Sequence, residues 1–191
     1  MIFNDGEIYD AFKTPIYRVV GKDIDTPKLL EFGLNRKKSE RSVVNSNIGG
    51  WHSGELLNCP EVQDLKNFIL DHAKKFAPEL GTQVSKVVSM WMMINGHKHY
   101  NREHAHAGCK ISGVFYIKTP PNCGNIYFLN PSGEMAKWAF GNDYRPNAYV
   151  SDCYQPSIEK VMYMFPSWLV HSVDPNLNEN DERVAISFNI K

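Results

Sequence analysis

The chain has no surplus of charge of either sign. Lys and Arg together number 21, Asp and Glu together number 21, and the formal net charge is zero. Without a basic excess the composition does not recommend nucleic acid as a partner, and no block of like charge reads as an interaction tail. No apolar run approaches the roughly 20 residues that cross a bilayer. The opening stretch MIFNDGEIYDAFKTPIYRVV lacks a basic segment followed by an apolar core, so it is not read as a signal peptide. Cysteine is scarce. Cys59, Cys109, Cys123 and Cys153 form no CxxC pair. A chain of 191 residues can bury a core that needs no disulfides. The cysteines therefore read as free thiols, and the compartment as reducing and cytoplasmic. Cys109 lies near two histidines, but free cysteine is usually buried, and the expectation is a small buried strand residue. Internal repeats and low-complexity segments are also missing.

Apolar residues make up 42% and charged residues 22%, as in an ordinary soluble globular protein. The length suggests one domain over 1–191, with a supporting strand and helices over 1–80 and a β-barrel core over 84–191. The first twenty residues read as strand-like, most clearly FKTPIYRVV. Thr26-Pro27 reads as a helix start, with Thr26 at the cap and the helix running to about Lys38. RSVVNSNIGGWHSGEL is polar and Gly-bearing, which places Trp51 in a loop. Pro60 opens a second helix, Val62, Leu65, Phe68, Ile69 and Phe76 recur at helical spacing, and Pro78 closes it. His72 lies beside that stripe and reads as packed or solvated.

After Gly81 the runs VSKVVSMWMMI, KISGVFYI, NIYFL, KVMYMF and RVAISFNI are β-rich and separated by Gly, Pro and Asn turns. Strands do not alternate with helices there, so an antiparallel sandwich or barrel fits better than a parallel sheet. One segment, 131–159, breaks the rhythm. It is long and polar yet carries Trp138, Phe140, Tyr144, Tyr149 and Tyr154, and it reads as an ordered flap.

The chemistry concentrates on histidines. His104 and His106 stand two residues apart, and period-2 alternation puts both rings on one face, where neutral imidazoles can share a metal ion. Taken alone, such a pair is as compatible with a solvated surface. His171, in YMFPSWLVHSVDPN, follows an apolar strand and a tight PSW turn and is the candidate third ligand. Arg183 follows twelve residues later. Alternation puts Arg183, Ala185, Ser187 and Asn189 on one face, with Val184, Ile186, Phe188 and Ile190 on the other. An arginine presented inside a barrel suits a planar carboxylate, which its fork grips through two hydrogen bonds.

In that order these pieces resemble the Fe(II)/2-oxoglutarate-dependent oxygenases. Within them they are most similar to a group from phages and marine bacteria. The likeness rests on Gly49-Gly50-Trp51-His52-Ser53, His104-Ala105-His106, Ser112-Gly113-Val114-Phe115-Tyr116, Phe165 through Val173, and Arg183 through Asn189, spanning roughly residues 47 to 190. The resemblance implies a double-stranded β-helix, or jelly roll, with Fe(II) at one mouth held by His104, His106 and His171. It implies that Arg183 holds the far carboxylate of 2-oxoglutarate. Tyr116 would join it, as a tyrosine does in prolyl-hydroxylase-like members, with Ser187 and Asn189 as weaker candidates. The expected reaction is a hydroxylation that consumes O2 and releases succinate and CO2. A phage-encoded copy would work in the host cytoplasm.

The sequence departs from the superfamily at His106, where Asp or Glu usually stands. Glu103 should point to the opposite face and Asp174 lies in a turn, so neither replaces it. His97 and His99, a second pair in a turn, have no family counterpart. Trp138 and Tyr144 of the flap, and Trp51, are candidate lid or substrate contacts. Two other readings stay open. One is a three-histidine, cupin-type dioxygenase that does not use 2-oxoglutarate. The other is a non-enzymatic barrel with a vestigial site. The substrate and the oligomeric state are not legible.

Overall fold

The computed structural model describes residues 11–191. The strand-like reading of the first twenty residues is met in that part by β1 (Tyr17–Val20). Its first ten residues lie outside the described ones.

Helix α1 (Thr26–Ser39) carries Pro27 in its first turn, where a missing amide costs nothing. The cap is Asp25 rather than the expected Thr26. The Asp25 carboxylate accepts from Lys28 N at 3.0 Å, while the Thr26 hydroxyl is drawn to Glu159. Two-residue strands β2 (Asn47–Ile48) and β3 (Trp51–His52) follow, so Trp51 stands in a strand and not a loop. The turn between them uses both glycines. Gly49 sits at φ +78°, and a side chain on Gly50 would strike Asn95. Helix α2 (Gln63–Phe76) is preceded by a 3-10 turn over Pro60–Val62 and followed by another over Ala77–Leu80. Its stripe Leu65, Ile69, Ala73 and Phe76 is buried, and His72 packs at its edge, hydrogen-bonded to the Tyr17 hydroxyl at 2.8 Å.

The remaining strands are β4 (Val87–Asn95), β5 (Tyr100–His104), β6 (Ile111–Lys118), β7 (Asn125–Phe128), β8 (Cys153–Pro156), β9 (Val161–Pro166), β10 (His171–Val173) and β11 (Arg183–Ile190). They form two sheets, ordered β1-β9-β6-β11-β4-β3 and β2-β5-β10-β7-β8. Every strand pairing described is antiparallel, as the sequence predicts. The result is a double-stranded β-helix with α1 and α2 on the outer face of the larger sheet. The segment 131–159 is not wholly a loop. It contains a third helix, α3 (Gly133–Phe140), and its last residues form β8. Strand β8 follows from a partner that the local pattern hides: it pairs with β7, where Tyr127 packs against Tyr154 with tilted rings 4.5 Å apart, centre to centre.

The larger sheet separates two cores. On one side Leu29, Leu65, Ile69 and Phe76 of the helices pack against Met90, Met92, Ile94, Phe115, Val184, Ile186, Phe188 and Ile190. On the other, Val114, Tyr116, Ile126, Phe128, Tyr163, Phe165 and Ala185 pack between the sheets. Alternation along β11 is therefore met in full: its even-numbered residues face the helices and its odd-numbered residues face the interior of the barrel.

Gly113 sits where strands crowd. A Cβ there would lie 2.6 Å from the Tyr163 carbonyl oxygen and inside the Phe188 ring. Backbone cannot yield as a side-chain tip can. Gly113→Ala is expected to lower stability by about 1–3 kcal/mol, the usual cost of overpacking. Urea unfolding checks this, and an unshifted midpoint would mean that β6 moves to accommodate the methyl.

Candidate functional site

His104 ends β5 and His171 begins β10, and the two are direct partners across the antiparallel pair. Their rings lie 4.3 Å apart, centre to centre. His106 comes just after β5. Its amide donates to Ser167 O at 2.9 Å, and Leu169 N donates to Pro166 O at 2.9 Å to close the PSW turn. Those bonds swing His106 inward, to ring-centre distances of 5.1 Å from His104 and 5.2 Å from His171. One potential ligating nitrogen on each ring lies within 4.8 Å of those on the other two. Among the described residues no carboxylate joins this cluster. Glu103 is exposed, and the Asp174 carbonyl is engaged by Arg183.

The rings are oriented by backbone. His104 Nδ1 lies 2.7 Å from Arg102 O, and His171 Nδ1 lies 2.9 Å from Leu169 O. A carbonyl only accepts, so in each neutral ring Nδ1 carries the proton and the Nε2 lone pair is left for a metal. His104 Nε2 lies 3.5 Å from the Ser46 hydroxyl. Burial, helped by the neighbouring rings, pushes His171 down to about 3 and His106 to about 4. Burial also lowers His104. All three are neutral at physiological pH, the form that ligates.

Across the cavity, Arg183 opens β11 and is 2% exposed. Its Nη1 donates to Asp174 O at 3.1 Å and to Cys123 O, while its buried Nη2 has no partner. No carboxylate pairs with it among the described residues. Burial lowers its pKa, with Tyr116, Cys123 and Asp174 pulling the other way. The Tyr116 phenol is buried beside it and pushed up to about 12, chiefly by that burial, so it stays a neutral donor. A cavity of about 630 Å³ joins these groups, lined by His104, His106, His171, Tyr116 and Arg183 together.

Ser187 and Asn189 line the same cavity. At about 3.3 Å per residue they stand roughly 13 and 20 Å along β11 from Arg183. The Asn189 amide is held by Ser112 and Ser89 at 2.7 and 3.0 Å. They therefore wall the other end of the cavity, too far to share one carboxylate with Arg183. Sequence reasoning missed Trp91, His52, Asn95, Asn101 and Ser46, which also line it. In VVSMWMMIN both faces of β4 look apolar, so its alternation gave no signal. A chain of amides, Asn95 to Asn101 at 3.3 Å and Asn101 to Ser46 at 3.2 Å, leads to His104.

Several expectations are corrected. Cys109 is partly exposed in the turn before β6, not buried in a strand, because Gly108 at φ +75° turns the chain there. Trp51 is buried in the helix-side core with Nε1 donating to Glu40 O at 3.1 Å, and does not line the cavity. Trp138 is 88% exposed, the Tyr144 hydroxyl donates to Val150 O, and neither lines it. His99 Nδ1 accepts from Gly96 N at 3.0 Å and shapes the β4–β5 turn. His97 and His99 stand outside the cavity lining.

Fold and site together define a jelly-roll protein with a cluster of three histidines at one mouth that could hold a metal ion, and a buried guanidinium within. Residues 89–189, just over half of the chain, match the family described as "Putative 2OG-Fe(II) oxygenase". The chain belongs to that family, whose metal is Fe(II) and whose cosubstrate is 2-oxoglutarate, and hence to a class of oxidoreductases. No curated protein matches it in sequence. Solved structures share the fold. A Pseudomonas putida prolyl-4-hydroxylase is 11% identical with TM-score 0.66, over 93% of this chain and 92% of that one. A Trichoplax adhaerens prolyl hydroxylase, solved with a hypoxia inducible factor peptide fragment, is 15% identical with TM-score 0.65, over 92% and 82%. HygX from Streptomyces hygroscopicus, solved with nickel and 2-oxoglutarate, is 12% identical with TM-score 0.59, over 93% and 82%. No helix among the described residues is long and apolar enough to cross a membrane.

The histidines make stability depend on pH. Their ordinary value is 6.5, and the folded values of His106 and His171 are about 4 and 3. Between those limits the unfolded chain binds more protons, so the stabilisation is complete above pH 6.5 and lost as pH falls. The thermal midpoint of the metal-free protein is expected to drop from neutral pH toward about 4, less steeply in His171→Asn. Parallel slopes for the two proteins would remove His171 as a cause.

Proposed function

We propose that the protein is an Fe(II)- and 2-oxoglutarate-dependent hydroxylase in which His104, His106 and His171 hold the metal. In this reading Arg183 and Tyr116 hold the far carboxylate of the cosubstrate. The observation that carries it is the buried guanidinium with an unpartnered Nη2 and no carboxylate beside it. Isolated buried charge is costly, and a cavity that keeps one open is built for an anion. The donor set fits the metal as well. Three neutral imidazoles, two with Nδ1 tied to carbonyls, present nitrogen lone pairs to a borderline cation.

When bound, Fe(II) and 2-oxoglutarate supply the oxidising chemistry that couples O2 to hydroxylation of a C–H bond with release of succinate and CO2. The protein's own part is placement. Asp174 O and Cys123 O fix the guanidinium fork, so Nη2 meets the carboxylate without reorganisation. Tyr116, neutral at working pH, donates a hydrogen bond and adds no charge. Val114, Ile126, Phe165 and Ala185 line the space around them and exclude water. With no carboxylate ligand, the positive charge of the metal and of Arg183 falls to the cosubstrate's two carboxylates to neutralise. The segment 131–159 is rooted beside His171, where Leu129 N donates to Val170 O at 3.0 Å. A reducing, cytoplasmic setting suits four free thiols.

Anaerobic titration of the metal-free protein with Fe(II) and then 2-oxoglutarate tests the reading through the visible charge-transfer band of the chelate. Arg183→Ala is expected to weaken cosubstrate binding by about 2–5 kcal/mol, a loss of the band at concentrations that saturate wild type. Tyr116→Phe, which removes one hydrogen bond to a charged group, is expected to cost about 1.5–3 kcal/mol. Iron binding without a band would move the assignment to a three-histidine dioxygenase that does not use 2-oxoglutarate. Absence of iron binding would leave a barrel without this chemistry.

A further inference from the structure

The cavity has two electrically different ends. Its lining contains two formal charges, Arg183 and Glu55. Arg183 is paired across the sheet with Asn95, and Ser187 with Trp91. Four residues of strand separate the two positions, about 13 Å. Glu55 belongs to the Trp91 end. The backbone ladder runs from Ser53 N to Met92 O and from Leu56 N to Met90 O, both at 2.9 Å, and Glu55 stands in the gap across from Trp91.

The Glu55 carboxylate is fixed there. Its Oε1 accepts from Leu56 N at 2.9 Å, Leu57 N at 3.1 Å and Met90 N at 2.8 Å. Three amides hold the group in place through Oε1, and among the described residues none bonds Oε2. No lysine or arginine among the described residues pairs with it. Arg36, on the nearby helix, is spent on Glu40 through bonds of 2.6 and 2.8 Å. Beside the carboxylate is an aromatic strip. The His52 ring stacks on Trp91 at 5.7 Å and 3°, and Trp91 leans on His106 at 5.8 Å. Trp91 thus reaches from His52 to His106 and lines the cavity together with Glu55, which is exposed. Asn45, Ser89 and Asn189 complete this end with neutral groups.

We infer that this arm of the site takes an organic cation, an alkylammonium or guanidinium group, held by the Glu55 carboxylate and the face of Trp91. The inference rests on the hydroxylase reading for its meaning, since it names the class of substrate presented to the metal. A fixed carboxylate beside an indole is the pairing that recognises such cations. An anionic substrate would meet Glu55 with no lysine or arginine paired to it among the described residues. The substrate's apolar chain then crosses from Glu55 toward the histidines, which sets a C–H bond rather than the charged head beside the metal.

Ligand-observed NMR titration separates the possibilities with three probes of matched size: N-acetyl lysine, glutamine and glutamate N-methylamides. Each is added to the metal-free protein and to the protein loaded with Ni(II) and 2-oxoglutarate. The lysine probe is expected to bind about tenfold or more tighter than the other two, the effect of one charged partner. Glu55→Gln keeps an acceptor for the three amides and is expected to abolish the preference. Trp91→Leu is expected to weaken the lysine probe selectively. Agmatine as a fourth probe distinguishes a free amine from a side chain on a peptide backbone, both within the inferred class. Equal binding of the three capped probes overturns the inference, as does a lysine preference that survives in Glu55→Gln. Cosubstrate binding, followed in the same samples, fails separately if the hydroxylase reading is wrong, and the metal-free titration then still decides the preference for cations.

Discussion

Strand β11 organises everything else. It lies between β4 and β6 in the larger sheet, and its two-residue alternation sends Val184, Ile186, Phe188 and Ile190 into the helix-side core. The same alternation obliges Arg183 to face inward. A one-residue slip would place a guanidinium among Leu65, Ile69 and Phe76 and four aliphatic or aromatic side chains in the cavity. The apolar face therefore holds the polar face in register. The helices α1 and α2 matter to the site for that reason: they bury the side of the sheet that fixes which residues point into the cavity.

The electrostatics follow from that register. Burial removes protons from the histidines and leaves neutral donors, while Arg183, the one buried Lys or Arg among the described residues, has an open donor. With His106 where an acid could stand, no carboxylate among the described residues joins the histidine cluster that is proposed to hold the metal. Charge balance then rests on ligands rather than on side chains. At the opposite end Glu55 reverses the sign, so a molecule lying along the cavity meets a positive wall and a negative one.

Much of this was legible because its signals are periodic. The apolar runs after Gly81 announced antiparallel strands, the stripe from Val62 to Phe76 announced α2, and the inward row of Arg183, Ala185, Ser187 and Asn189 could be read from RVAISFNI. The spacing of His104, His106, His171 and Arg183 anticipated a cluster that the fold does bring to one cavity. Illegible were features made by contacts between distant segments. Trp91 and Asn95 sit in a strand apolar on both faces, so nothing local marks their orientation. Ser46, Asn101 and Glu55 join the cavity only through pairing of β2 with β5 and of the chain after β3 with β4. The position of Cys109 depended on a left-handed glycine. The distance between Arg183 and Asn189 was implicit in the strand rise, yet a shared face suggested a shared ligand, and the two stand at opposite ends.

The unpartnered guanidinium also has a meaning for the life of the molecule. Anything that binds the folded chain and not the unfolded one adds RT ln(1 + [L]/Kd) to its stability. In the proposed reading, a dianion seated on Arg183 pairs its open donor and is a lever of this kind. Cellular proteases and chaperones act on the unfolded fraction, and differences of about 1–2 kcal/mol change abundance several-fold. In that reading the folded fraction, and with it the protein's lifetime, rises with the supply of the small anion that Arg183 holds.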